Sequence, residues 1–152
     1  MLGRFSLTSP CSNPIGMLRS MPELPTIKNL PEQPDVIAPD GSEIRFLESP
    51  SDESSMVHAR LHPGTTTYAV HHLTVEESWV CVGGEGEVWR KDSESESILK
   101  LQSGIECEIP LGTTFQFRAK GEQPLEIVIT TSPPWPGDHE AVRVEGKWEP
   151  SV

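Results

Sequence analysis

The sequence predicts an all-β fold, an antiparallel sandwich or barrel, on three observations. From residue 43 onward apolar and polar residues alternate with a period of two. Turn-forming residues interrupt this alternation about every ten residues. The 152 residues include 15 prolines, about double the usual frequency, which disfavours long helices throughout.

The elements follow in order. Glu43–Glu48 alternates Ile44 and Phe46 with Arg45 and Leu47, and Met56–Leu61 alternates again. Further strand-like segments are Thr67–His72, Glu77–Val82, Glu87–Lys91, Ser97–Leu101, Glu106–Ile109, Thr114–Ala119 and Leu125–Thr131. Between them stand Pro63-Gly64, Gly83-Gly84, Asp92–Glu96, Ser103-Gly104, Leu111-Gly112 and Lys120-Gly121, all turn chemistry. The acidic run Asp92–Glu96 reads as a solvated hairpin loop. Gly83-Gly84-Glu85-Gly86 precedes the strand-like Glu87–Trp89 rather than a helix N-terminus. It therefore reads as a hairpin turn needing positive φ, not as a phosphate loop.

The length suggests one domain. Residues 1–42 form a proline-rich arm, 43–131 the barrel and 132–152 an irregular tail. The tail opens on Pro133-Pro134-Trp135-Pro136-Gly137, which holds an aromatic ring ready to pack over the barrel mouth or against a second subunit. Val142 and Val144 suggest one late edge strand. Residues 1–22 hold Arg4 and Arg19 and no acid, a faint likeness to an organelle transit peptide. Against it stand a flexible tail or a start codon assigned too early, since Met17 and Met21 follow.

Charge and cysteines bound the function. The net charge of −11 repels phosphate backbones, so nucleic acid and anionic membranes are poor partners. No apolar run is long enough to span a bilayer. The three cysteines, Cys11, Cys81 and Cys107, lack C-x-x-C spacing. They argue against a disulfide scaffold or a zinc ribbon and fit a reducing, cytoplasmic setting.

The most informative stretch is PGTTTYAVHHLTVEESWVCVGGEGEVW, residues 63–89, followed by GIECEIPLGTTFQFRA, residues 104–119. His72, four residues, Glu77, six residues and Gly84 match the second half of the first cupin motif, G-x5-H-x-H-x3,4-E-x6-G. Gly104, Pro110 and Gly112 match the first half of the second, G-x5-P-x-G-x2-H-x3-N. The sequence thus resembles the cupin superfamily, small jelly-roll β-barrels also called double-stranded β-helices. H-x-T-V-E-E-x-W and P-P-W-P-G strings like those here are similar to strings in small bacterial cupins. The resemblance implies a homodimer, with residues 22–42 as the exchanged arm.

It also implies a place for a metal, which metal-binding cupins hold with three His and one Glu. Here the first His falls at Val70, the second-motif His at Phe115 and the Asn at Ala119. Only His72 and Glu77 carry over, whereas a divalent transition ion (Fe, Mn, Zn or Ni) usually needs three or four ligands. Strand parity bears on replacements. If His72 points inward, Tyr68 and Val70 do too, and His71 points away. If Phe115 points inward, so does Phe117, and Gln116 points out. A ligand set of His71, His72, Glu77 and Gln116 therefore requires bulged strands. His58 and His62, on an adjacent strand, and His139 read as ordinary residues.

Without a metal, His72 and Glu77 either form a proton-transfer pair or a satisfied polar pair. A carboxylate beside an imidazole raises the His pKa and suits proton transfer. Tyr68 would add a hydroxyl at the barrel mouth. Val70, Trp79, Phe115 and Phe117 make either an apolar ligand pocket or plain core. Two function classes result. One is a small-molecule site, catalysing isomerisation, epimerisation or lyase chemistry on a polar metabolite, with metal-dependent, dioxygenase-like chemistry as the alternative. The other is a non-catalytic ligand-binding or dimer-forming module. Fold alone does not choose between them.

Overall fold

The strands pair as the alternation requires, and in the computed structural model, which describes residues 28–152, they build two antiparallel sheets. One sheet runs β1 (Val36–Ile37), β2 (Glu43–Leu47), β3 (Ser55–Leu61), β10 (Leu125–Ser132), β5 (Glu76–Gly83), β8 (Glu106–Ile109). The other runs β11 (Ala141–Val144), β4 (Ala69–His72), β9 (Thr114–Lys120), β6 (Glu85–Lys91), β7 (Glu96–Gln102). The chain crosses from one sheet to the other between β3 and β4, β4 and β5, and β5 and β6. This is the winding of a double-stranded β-helix. The nine strands expected from residue 43 to 131 are all present, and the late strand is β11 at a sheet edge. The arm contributes β1, which pairs with β2 of its own chain. Residues 1–22 and Cys11 lie outside the described residues. Among the described residues no helix is long and apolar enough to cross a membrane.

The core lies between the sheets. Ile44, Ala59, Leu61, Val70, Trp79, Cys81, Phe115, Phe117 and Ile127 project into it from alternate positions, as a half-buried strand dictates. Gly84 is not a hairpin turn, because β5 and β6 belong to different sheets. It is the corner between them, with φ 71°, and a Cβ there would collide with the Pro124 carbonyl. The hairpin falls one connection later, where β6 and β7 pair across Asp92–Glu96.

The arm and tail seal the outer faces. Arg45 points away from the core yet is fully buried, because its guanidinium donates to the Pro31 and Glu32 carbonyls of the arm. Gln116 also points outward and is fully buried. Its amide donates to the Thr67 and Trp148 carbonyls, and its oxygen accepts from the Trp148 N–H. The Arg118 guanidinium lies 4.0 Å over the Trp148 ring.

Candidate functional site

The site is built where β4 runs into β5. His72 ends β4 and Glu77 lies one residue into β5, joined by the turn Leu73–Val75. Glu140, from the 3-10 turn Asp138–Glu140, holds that turn. Its buried carboxylate accepts from the Thr74 hydroxyl at 2.9 Å and the Val75 N–H at 2.7 Å, and also from the Thr74 N–H. These hydrogen bonds hold the Glu140 carboxyl below the usual carboxylate range, against the opposing effect of burial.

Both side chains point inward, as parity requires. His72 Nδ1 lies 3.9 Å from Glu77 Oε1, and the two side chains are only 6% and 8% exposed. The separation is too long for a hydrogen bond, and Nδ1 is buried without a partner. Trp79, two residues on and on the same face, donates its indole N–H to Glu77 Oε2 at 2.7 Å. The His72 ring stands edge-to-face between Phe115 and Trp135, each centroid 5.2 Å away. Trp135 therefore packs on the barrel interior, its backbone N–H donating to the Ser55 hydroxyl at 2.9 Å.

These groups close one end of a cavity of about 450 Å³, lined by Val70, Trp79, Phe115, Met56, Ile129 and Trp135 among others. That size and make-up are ordinary for a small-molecule site. Burial pushes the Glu77 carboxyl up to about 8, and nearby Asp40 adds to the rise, while the Trp79 hydrogen bond opposes it. Burial pushes the His72 imidazole down to about 4. The Glu140 carboxylate opposes that shift and His71 adds to it. This reverses the expectation that the carboxylate raises the His pKa. Desolvation wins, and Glu77 is itself protonated at neutral pH, so it offers the imidazole no charge. The pair is a neutral base facing a neutral acid.

Two other expected members are elsewhere. Tyr68 does not reach the cavity. The residues before Ala69 are irregular, so the alternation does not extend to it, and its ring lies 3.8 Å beneath the Arg143 guanidinium. Phe117 faces inward but sits within the core, 5.1 Å from Trp79 centroid to centroid, and does not line the cavity.

The donor set does not fit a divalent metal. β4 and β9 pair in step, Val70 with Phe115 and His71 with Thr114, and β9 keeps register with β6 along its length. No bulge brings His71 or Gln116 inward. His58, on the outer face of β3, lies 3.3 Å from Glu126, and His62 meets Glu43 at 2.8 Å. Among the described residues no group of three or more His, Cys, Asp or Glu converges. The donors on the cavity wall are the His72 imidazole, the Glu77 carboxyl, already bound to Trp79, and the Asp40 carboxyl, and they do not converge as a ligand set.

Sequence reasoning missed Asp40, Asp138 and Glu140. The Pro39-Asp40-Gly41-Ser42 string carries a turn signature, and Asp40 accepts from the Ser42 N–H and hydroxyl, but its place on the cavity wall comes from the arm folding back. Glu140 has no local signal, since its partners lie 65 and 66 residues away.

No protein-family model matches the chain. It is 34% identical over 83 residues to the xanthan biosynthesis protein XanB of Xanthomonas campestris pv. campestris, a match covering 55% of this chain and 17% of that protein. The chain thus spans about a sixth of the curated relatives it matches. The capsular polysaccharide assembling protein CapF of Staphylococcus aureus superposes with a TM-score of 0.61 at 15% identity, covering 80% of this chain and 35% of CapF. The CENP-C cupin domain of Drosophila melanogaster gives 0.55 at 18%, covering 61% of this chain and 68% of that one. At these identities the solved structures speak for the fold.

Proposed function

We propose that the barrel interior of this chain, whose fold is that of the double-stranded β-helix structures it superposes on, binds a small organic molecule and moves a proton on it. The observation that supports this most is the unpartnered His72 Nδ1, 3.9 Å from Glu77 Oε1 at the wall of an apolar cavity. An unprotonated imidazole and a proton-bearing carboxyl facing one ligand are a base and an acid: the imidazole can take a proton from the carbon beside a carbonyl while the carboxyl gives one to its oxygen. This suits isomerisation, epimerisation or lyase chemistry. Trp79 orients the carboxyl, and Glu140 positions the turn between the two groups. Trp135 and Phe115 shield the imidazole from water.

The likeness to XanB and to CapF favours a second reading, binding of a carbohydrate derivative in the same cavity. The largely apolar wall supports it less well.

The test works with the substrate still unidentified. Small carbonyl compounds found to bind in an NMR screen are incubated with the protein in D2O, and exchange at the carbon beside the carbonyl is followed. The proposal expects exchange that depends on both His72 and Glu77, lost in His72→Gln and Glu77→Gln. Binding without any such exchange across the bound compounds would leave a non-catalytic ligand-binding module.

A further inference from the structure

The charge balance of the cavity wall says more about the ligand. Among the described residues no lysine or arginine lines it. Asp40 accepts twice from Ser42 through Oδ1 alone, and Asp138 is exposed. Beside Asp40 Oδ2, the polar atoms left for a ligand at the inner end are His72 Nδ1, buried without a partner, and Glu77 Oε1, whose twin oxygen is taken by Trp79. At 3.9 Å they do not bond each other, yet both lie within hydrogen-bond reach of a single atom placed between them.

We infer that the cavity takes an uncharged molecule with an apolar body and one carbonyl or hydroxyl oxygen, that oxygen lodged between His72 Nδ1 and Glu77 Oε1. Anionic metabolites, carboxylates and phosphorylated or nucleotide-linked sugars included, are refused. The inference rests on the reading of the cavity as a ligand site and adds the class of ligand.

The reasons are electrostatic. An anion would enter a low-dielectric cavity with no cation to pair with, beside Asp40 and Asp138. An ammonium would have to displace the proton of Glu77 or ionise Asp40, whose pKa burial also raises. A neutral oxygen needs neither: a hydroxyl accepts from the Glu77 hydroxyl and donates to His72 Nδ1, and a carbonyl accepts from both groups when Nδ1 carries the proton of the neutral imidazole. The other titratable or charged groups packed around this end are Asp40 from the arm, His71 on the far side of β4, Asp138 and Glu140 from the tail, and Arg143 on β11. Glu77 is the one whose proton comes off near pH 8, so binding should weaken above that pH.

The experiment is an NMR titration of the full chain with four compounds that share a phenyl ring: acetophenone, ethylbenzene, benzoate and benzylamine. The Trp79 indole N–H and the His72 ring report on the cavity. At pH 7 acetophenone should bind about tenfold more tightly than benzoate or benzylamine and several-fold more tightly than ethylbenzene, the scale of one buried hydrogen bond. Its affinity should fall about tenfold between pH 7 and pH 9 as Glu77 ionises. Glu77→Gln, which has no proton to lose, should abolish that fall. Benzoate or benzylamine binding in the cavity as tightly as acetophenone would overturn the ligand class and leave the cavity a ligand site. Acetophenone binding no better than ethylbenzene would overturn the oxygen seat. If none of the four moves the cavity resonances, both the class and the ligand-site reading fall.

Discussion

Replacing Glu77 with Gln should stabilise the protein, and the gain should grow with pH. In the folded chain Glu77 keeps its proton to about pH 8, whereas an ordinary Glu releases it near 4.5. Between those values the folded state holds one proton more than the unfolded state. Stability therefore falls as pH rises, by about 1.4 kcal/mol per unit. His72 acts in the opposite direction, with a folded pKa of about 4 against an ordinary 6.5. Between those values the unfolded state holds the extra proton, so stability rises with pH. From pH 4.5 to 6.5 the two slopes cancel, and from 6.5 to 8 the decline from Glu77 stands alone. That residual decline is about 2 kcal/mol. The amide has no proton to lose, so the advantage of Glu77→Gln over the parent should increase by about 4 kcal/mol between pH 5 and pH 8. Urea unfolding at a series of pH values, with the denaturant slope checked for constancy, reads this difference directly. A difference that stays constant within about 1 kcal/mol across that range would show that Glu77 titrates like an exposed carboxylate, and the reasoning about a desolvated site would be wrong.

Three further outcomes follow from the geometry. Trp79→Phe removes the indole donor from Glu77 Oε2, so the Glu77 pKa should rise further, as carbon-detected NMR of the carboxyl would register. Glu140→Gln weakens the three hydrogen bonds that hold Thr74 and Val75. It should cost about 2 kcal/mol in urea unfolding and lower the His72 pKa, because the Glu140 charge is what raises it. Gln116→Leu leaves the Thr67 and Trp148 carbonyls and the Trp148 N–H without side-chain partners. It should cost about 3 kcal/mol and expose the tail around Trp148 to limited proteolysis.

What the sequence made legible was periodic and local. Strands with a period of two and turns built on Gly84, Gly104, Gly112 and Gly121, all at positive φ, could be placed within two residues. Parity correctly turned His72, Val70, Trp79 and Phe115 inward and His71 and Gln116 outward. Parity failed at Tyr68, because alternation holds only inside a strand and β4 begins one residue later. It gave no hint that Gln116 is buried, because the tail that covers it arrives from 32 residues away. The sign of the His72 shift was misread for a related reason. A neighbouring carboxylate is visible in the sequence, but the walls that strip water from both groups come from the arm, β9 and the proline-rich tail. Glu140, which braces the site, was silent for the same reason.

The proposed chemistry stands or falls on the protonation of two side chains. A titration that follows the His72 ring nitrogens and the Glu77 carboxyl carbon by NMR, from pH 3.5 to 9.5, tests it most directly. The expected result is an imidazole that stays neutral until the pH nears 4 and a carboxyl that ionises near 8. An imidazole titrating near 6.5 beside a carboxyl titrating near 4.5, their ordinary values, would contradict the desolvated acid–base pair and with it both the proton transfer and the ligand class.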